Sequence, residues 1–158
     1  MIPKKIHFLW MSETKGDAVE RCLESWRHHL QDYEIIEWNK SNFPYEDFLF
    51  AREAFSKKKW AFVTDYFRLW VLEKYGGIYL DADVTVNGNF DKFLENKLFI
   101  GTEFTDQIAA HAIGAEPHHP FILKCLDYYN GRHFILPDGR CDMNAMPCII
   151  TKVFMEMY

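Results

Sequence analysis

Two carboxylates separated by one residue, Asp81 and Asp83, have the clearest chemical potential in this sequence. They follow the apolar run at residues 78–80, which favours a β-strand. Side chains at positions i and i+2 of a strand point to one face, so both carboxylates are expected to project together. Like charges this close repel unless a cation lies between them, and Mg²⁺ or Mn²⁺ prefers oxygen ligands. The pair predicts a divalent metal site, although a strand that ends in an acidic turn would show the same spacing.

A second charged pair, Asp65 and Arg68, interrupts an apolar segment upstream. Residues 60–75 contain neither glycine nor proline and are closed by Gly76-Gly77, which predicts a helix with a glycine C-terminal cap. Its apolar residues occur on every side, as is typical of a buried helix. Asp65 and Arg68 lie three positions apart and share one helix face. They are expected to form an ion pair, to line a cleft that binds hydroxyls and phosphate, or to do both.

These two segments carry a family resemblance. Thr-Asp-Tyr-Phe-Arg at residues 64–68, followed by Tyr-Gly-Gly-Ile-Tyr-Leu-Asp-Ala-Asp at residues 75–83, resembles the paired motifs of glycosyltransferase family 32. That family includes capsular polysaccharide transferases and yeast mannosyltransferases. Residues 2–10 and 33–39 resemble its first two strands, and residues 142–151 resemble a later segment, so the resemblance extends through most of the chain.

The resemblance implies an α/β fold of the GT-A type, in which a central, mostly parallel sheet is flanked by helices. It also implies metal-dependent transfer of a hexose, with retention of configuration, from a nucleotide-diphospho-sugar donor to a glycan or lipid-linked acceptor. A role in polysaccharide biosynthesis follows from the same resemblance. Relatives of this type usually continue beyond the equivalent of residue 158. Residues 1–158 are therefore expected to be one catalytic domain that lacks its C-terminal part.

The resemblance also assigns roles to individual residues. Those implied to bind the donor are Trp10, Asp65, Arg68, Asp81 and Asn144. Trp10 would stack on the nucleotide base, although an aromatic residue at a strand end is also commonly part of a core. Asp83, with Asp81, would ligate Mn²⁺ or Mg²⁺. Arg68, Asp81 and Asp83 would form the catalytic group, since the charge that develops on the leaving diphosphate needs stabilisation.

Alternating element patterns agree with an α/β fold. Strands are predicted near residues 6–10, 34–38, 78–80, 98–103 and 108–114, and helices near residues 17–30, 45–55, 60–75 and 120–129. The strands at residues 98–103 and 108–114 are predicted to form a hairpin around Thr105-Asp106. Ligands of such sheets bind at the carboxyl ends of the strands, and the two aspartates fall at such an end.

Composition excludes several classes of protein. With 49% hydrophobic residues in 158, the chain can build a core as one domain, and a net charge of −5 gives little support for nucleic-acid binding. No stretch approaches the ~20 apolar residues of a membrane span, and the N-terminus does not resemble a signal peptide. We therefore expect a cytoplasmic protein, either free in the cytoplasm or peripheral at the inner face of the membrane. The four cysteines lack the spacing of a zinc site and are predicted to be free thiols.

Two alternatives to a transferase are left open. Residues 78–85 also resemble the motif of haloacid-dehalogenase-type phosphatases, in which the first aspartate, here Asp81, would be the phosphorylated nucleophile. That motif normally lies near the N-terminus, whereas here it lies in mid-chain. The second alternative is a module that binds a sugar nucleotide without turnover.

Overall fold

A computed structural model describes residues 1–104 and 106–158. The elements are β1 (Lys5–Leu9), α1 (Asp17–His29), β2 (Glu34–Trp38), α2 (Leu49–Ser56), α3 (Trp60–Tyr75), β3 (Gly77–Leu80), β4 (Leu98–Glu103), β5 (Gln107–Ala115), α4 (Pro120–Tyr129) and α5 (Met146–Met157). The helix predicted at residues 45–55 is divided into a 3₁₀ turn, Tyr45–Asp47, and α2, because Phe48 between them has an extended backbone. No helix in the described part of the chain is both long and apolar enough to cross a membrane.

The strands form one sheet in the order β2-β1-β3-β5-β4. β1 pairs in parallel with β2 and β3, whereas β5 pairs antiparallel with β3 and β4. All strands except β5 therefore run in one direction, and their carboxyl ends meet at one edge of the sheet. This arrangement confirms the predicted α/β fold with a central sheet. β4 and β5 form the predicted hairpin, although residue 105 of its connection lies outside the described residues.

Helices cover both faces of the sheet, and strand alternation decides which side chains meet them. In β3, Ile78 and Leu80 join a buried cluster with Trp26 of α1. Tyr79 between them points to the opposite face and joins the larger cluster, which contains Phe67 of α3. β3 is buried along its whole length for this reason.

The helix α3 is buried as its apolar pattern predicts, and residues 65–72 are all buried. It ends at Gly76, whose positive φ of 62° continues the chain into β3. A side chain at Gly77 would place its Cβ 2.7 Å from the carbonyl oxygen of Lys5. Glycine at this position therefore allows β3 to lie against β1 directly after the helix.

A buried histidine joins the same elements. His7 of β1 lies 3.0 Å through Nε2 from the carbonyl oxygen of Gly76, and Trp38 Nε1 donates to its Nδ1 at 3.1 Å. Burial lowers the pKa of His7 to about 4. A neutral imidazole with its proton on Nε2 satisfies both contacts, so His7 links β1, β2 and the end of α3.

Candidate functional site

A cleft with two lobes lies at the carboxyl edge of the sheet. The hairpin lobe, about 470 Å³ in volume, is lined partly by the β4–β5 hairpin through Glu103 and His111. The Trp10 lobe, about 380 Å³, is lined by Trp10 and other residues near the end of β1. Both lobes share the lining residues Ala61, Arg68, Asp81 and Asp83. The shared wall makes the two lobes one continuous site.

Asp81 and Asp83 reach this cleft from a turn. β3 ends at Leu80, and the amide of Val84 donates to the carbonyl oxygen of Asp81 at 3.1 Å, which closes a tight turn. Strand alternation was predicted to align the two carboxylates. That reason was wrong, because Asp81 and Asp83 belong to the turn and not to the strand. The Asp81 amide still donates to the carbonyl oxygen of His111 in β5, at 2.9 Å, so the turn begins from a fixed point on the sheet. Both aspartates line both lobes.

The two aspartates differ in their surroundings. The Asp81 carboxylate accepts a hydrogen bond from the hydroxyl of Tyr79 and lies 3.6 Å from Nη1 of Arg68. Burial raises the pKa of Tyr79 well above its ordinary value, so the phenol keeps its proton and acts as the donor. Asp83 is exposed, and its carboxylate has no hydrogen-bond or ion-pair partner among the described residues. Asp81 is held in place, whereas Asp83 is available to a ligand.

Arg68 is buried and bound on several sides. Its Nη1 donates to the carbonyl oxygen of Ala110 in β5 at 2.7 Å, and its Nη2 donates to Asp65 at 3.0 Å. The guanidinium also lies over the ring of Tyr79, 4.7 Å from its centroid. Asp65 and Arg68 therefore form the predicted ion pair, and both also line the hairpin lobe. Much of the guanidinium's hydrogen-bonding capacity is used within the protein.

Asp65 is an unusual carboxyl because it is buried beside two charged groups. Burial raises its pKa to about 6, against the attraction of Arg68, and the nearby Asp81 adds to the increase. The cleft therefore contains an acid that titrates close to neutral pH. Such groups occur often at functional sites.

Trp10 follows β1 directly and is fixed at both its backbone and its ring. Its amide donates to the carbonyl oxygen of Trp38 at 2.8 Å, and its Nε1 donates to that of Thr14 at 3.1 Å. The ring is half-buried and lines the Trp10 lobe. Its position agrees with an aromatic wall of the cleft, and base stacking stays a prediction.

Asn144 lies at the margin of the site. Its side chain is exposed and donates to the hydroxyl of Tyr128 at 3.3 Å. The next residue, Ala145, lines the hairpin lobe, whereas Asn144 lines neither lobe. The structure thus brings together every predicted site residue except this one.

Several residues of the cleft were missed by sequence reasoning. Tyr79 carries the hydroxyl that holds Asp81, and Glu103 and His111 line the hairpin lobe. The Tyr79 position within the motif was visible in the sequence, but its contact with Asp81 depends on where the strand ends. Glu103 and His111 carried no local signal, because only the pairing of β5 with β3 places their hairpin beside the aspartates.

The donor set suits a divalent ion that is completed by a ligand. The described residues include no group of three or more His, Cys, Asp or Glu side chains placed to hold a metal. Mg²⁺ commonly uses one or two protein carboxylates and takes its remaining ligands from water and substrate phosphates. The Asp81–Asp83 pair, with its uncommitted Asp83 carboxylate, fits that type of site.

Two yeast proteins are similar to this chain in sequence. The chain is 29% identical over 133 residues to mannosyl phosphorylinositol ceramide synthase SUR1 of Saccharomyces cerevisiae. This alignment covers 80% of this chain and 34% of the relative. It is also 28% identical over 135 residues to inositol phosphoceramide mannosyltransferase 3 of Schizosaccharomyces pombe. That alignment covers 78% of this chain and 36% of the relative. The matched region thus spans about a third of the length of these curated relatives.

A solved structure and a family model also match this chain. The PaToxG glycosyltransferase matches 99% of this chain and 69% of its own, with a TM-score of 0.70 and 18% sequence identity, which shows a shared fold. The profile described as glycosyltransferase sugar-binding region containing DXD motif matches residues 16–100, more than half of the chain. That region includes α3, β3, Asp81 and Asp83, and it favours a transferase over the phosphatase alternative. The chain therefore belongs to the family of glycosyltransferase sugar-binding regions that contain the DXD motif.

Proposed function

We propose that this chain is a metal-dependent, retaining hexosyltransferase that uses a nucleotide-diphospho-sugar donor. The observation that carries the proposal is the convergence of Asp81, Asp83, Asp65 and Arg68 on one cleft. A carboxylate pair with one exposed and one half-buried member, beside a buried arginine, suits a diphosphate that arrives with a divalent ion. The family and the names of the relatives support hexose transfer, and retention rests on the family 32 resemblance.

The two lobes suit the two ends of such a donor. Trp10 lines one lobe with a half-buried ring, which suits stacking on the nucleotide base. Asp65 and Arg68 line the hairpin lobe, where they suit the donor sugar and its phosphate. Asp81, held by Tyr79, would contact ribose or sugar hydroxyls and help to hold the metal. Asn144, whose side chain donates to the Tyr128 hydroxyl, is the weaker candidate for contact with the sugar.

Asp83 and Asp81 would hold Mn²⁺ or Mg²⁺ in this proposal. The ion, when bound, would offset the negative charge that develops on the leaving diphosphate. Arg68 contributes a fixed positive charge 3.6 Å from Asp81, already oriented by Ala110 and Asp65 before any donor arrives. Such preorganised charge stabilises a transition state without reorganisation during the reaction.

The acceptor is proposed as a class. The names of the yeast relatives describe mannose transfer to phosphorylinositol ceramide, which supports a lipid-linked acceptor for this chain as well. A glycan acceptor, as in polysaccharide biosynthesis, is the second candidate and rests on the family resemblance. A cytoplasmic location at the inner membrane face would suit either acceptor and remains a prediction.

Thermal denaturation with nucleoside diphosphates tests the donor site. UDP or GDP with Mn²⁺ or Mg²⁺ should raise the Tm, because a ligand that binds only the folded state stabilises it. Asp83→Asn should abolish the metal-dependent part of the rise without lowering the Tm of the free protein, since Asp83 is exposed. The exposed Asp127→Asn on α4 is the matched control. No metal-dependent rise with either nucleotide would refute the proposed donor site.

A turnover assay separates an enzyme from a binding module. Release of nucleoside diphosphate from UDP-glucose or GDP-mannose, lost in Asp83→Asn, would establish catalysis. A Tm rise without any release, with or without an acceptor, would support the non-catalytic module. Release of inorganic phosphate from an aryl phosphate would instead favour the phosphatase.

A further inference from the structure

The strand order arranges the polar groups of the cleft in a line. Trp10 follows β1, Asp81 and Asp83 follow β3, and His111 and Glu103 belong to β5 and β4. A nucleotide-diphospho-sugar has its base, diphosphate and sugar in linear order. With the base at Trp10 and the diphosphate at the aspartates, the sugar points towards β5 and β4. An acceptor bound on the β5–β4 side of the cleft would then lie next to the sugar.

Glu103 and His111 are two polar side chains on the β5–β4 side of the cleft. Both line the hairpin lobe, His111 is exposed and Glu103 is half-buried. Neither side chain has a hydrogen-bond or ion-pair partner within residues 1–104 and 106–158. Asp65 and Arg68, in contrast, are paired with each other. The polar atoms of Glu103 and His111 are therefore available to a ligand in this lobe.

Apart from these two side chains, the polar lining residues of the lobe are the proposed donor-binding group Asp65, Arg68, Asp81 and Asp83. Its apolar lining residues are Ala61, Phe62, Val84, Ala110, Ala145, Met146 and Pro147. A carboxylate accepts hydrogen bonds from hydroxyl groups, and a neutral imidazole both donates and accepts. Together these two side chains can satisfy neighbouring hydroxyls, which each need a donor and an acceptor. The apolar wall suits the carbon face of a sugar or cyclitol ring.

We propose that Glu103 and His111 form the acceptor subsite, which binds the hydroxyls of a polyol or pyranoside. The two side chains position the acceptor beside the anomeric carbon of the donor sugar and do not take part in bond breaking. This inference rests on the proposed transferase function. It adds the location of the acceptor and the chemical class that the hairpin recognises.

Acceptor kinetics with defined probes test the subsite. Myo-inositol and methyl α-D-mannopyranoside serve as acceptors with UDP-glucose and GDP-mannose as donors. Glu103→Ala and His111→Ala should each raise the acceptor KM about tenfold or more, as loss of a hydrogen bond to a bound hydroxyl predicts. Their nucleotide-dependent Tm rise should equal that of the wild type. Glu103→Gln and His111→Gln should recover part of the affinity.

Matched variants and a binding measurement keep the test decisive. Glu95→Ala and His28→Ala, both exposed and outside the cleft, should leave the acceptor KM unchanged. Saturation-transfer NMR with Mg²⁺ and a nucleoside diphosphate reports polyol binding independently of turnover. A wild type that binds nucleotide but neither polyol would overturn the subsite alone. Failure to bind nucleotide would overturn the donor site, and the acceptor subsite with it.

Discussion

Asp65→Asn is the substitution with the most informative pH dependence. Burial raises the pKa of Asp65 from 3.8 to about 6, so the folded protein binds this proton more tightly than the unfolded chain does. The free energy of unfolding must then fall as the pH rises through that interval, because the folded state has to release the proton. Asparagine has the same shape and does not titrate.

The size of the effect follows from the same shift. A rise from 3.8 to about 6 is roughly two pKa units, which corresponds to about 3 kcal/mol at ~1.4 kcal/mol per unit. We therefore expect the stability of Asp65→Asn relative to wild type to improve by about that amount between about pH 4 and pH 7. The absolute difference also includes the lost ion pair with Arg68, 3.0 Å away, which lowers the variant's stability. Only the change of this stability difference with pH isolates the contribution of the buried Asp65 carboxyl.

Urea unfolding followed by tryptophan fluorescence, in metal-free buffer, measures this quantity directly. The exposed Asp127→Asn is the control for loss of an aspartate charge from the surface. A constant difference between Asp65→Asn and wild type across the interval would refute the argument. It would mean that Asp65 is well solvated or that another group compensates for its charge.

Two further substitutions test the packing that supports the cleft. Arg68→Lys keeps the charge but loses the forked guanidinium that joins Ala110 to Asp65. Urea unfolding should therefore show a free energy of unfolding that is lower by about 2–3 kcal/mol. A decrease below about 0.5 kcal/mol would show that lysine replaces both contacts. Gly77→Ala places a Cβ 2.7 Å from the Lys5 carbonyl oxygen at a φ of +104°, so its Tm should fall by several degrees, and an unchanged Tm would show that β1 shifts freely.

Local patterns predicted the elements well where the signal lies within each element. The bounds of β2, β4 and α4 agree with the sequence, and α3 is capped by Gly76 as expected. Short apolar runs between turn residues, and a long run without glycine or proline, are sufficient to locate these strands and helices. The helix predicted at residues 45–55 is divided into two pieces because Phe48 adopts an extended backbone, which its residue type does not reveal.

The site was predicted in its residues but less well in its geometry. Asp81 and Asp83 were identified from spacing, yet they leave the sheet through a turn instead of continuing β3. The Asp65–Arg68 pair was predicted from helical spacing, whereas the bond from Arg68 to Ala110 spans 42 positions and depends on the fold. Contacts of this kind have no local sequence signal.

The contacts of Arg68 connect the two halves of the proposed site. Arg68 donates to the Ala110 carbonyl oxygen in β5, and the adjacent His111 carbonyl oxygen accepts from the Asp81 amide. The buried guanidinium therefore holds the β5 backbone at the point where the proposed acceptor subsite meets the aspartates. Removing it should disturb donor and acceptor binding together, whereas a residue that only contacts phosphate should affect the donor alone. The acceptor KM of Arg68→Lys, compared with its nucleotide affinity, distinguishes these two roles.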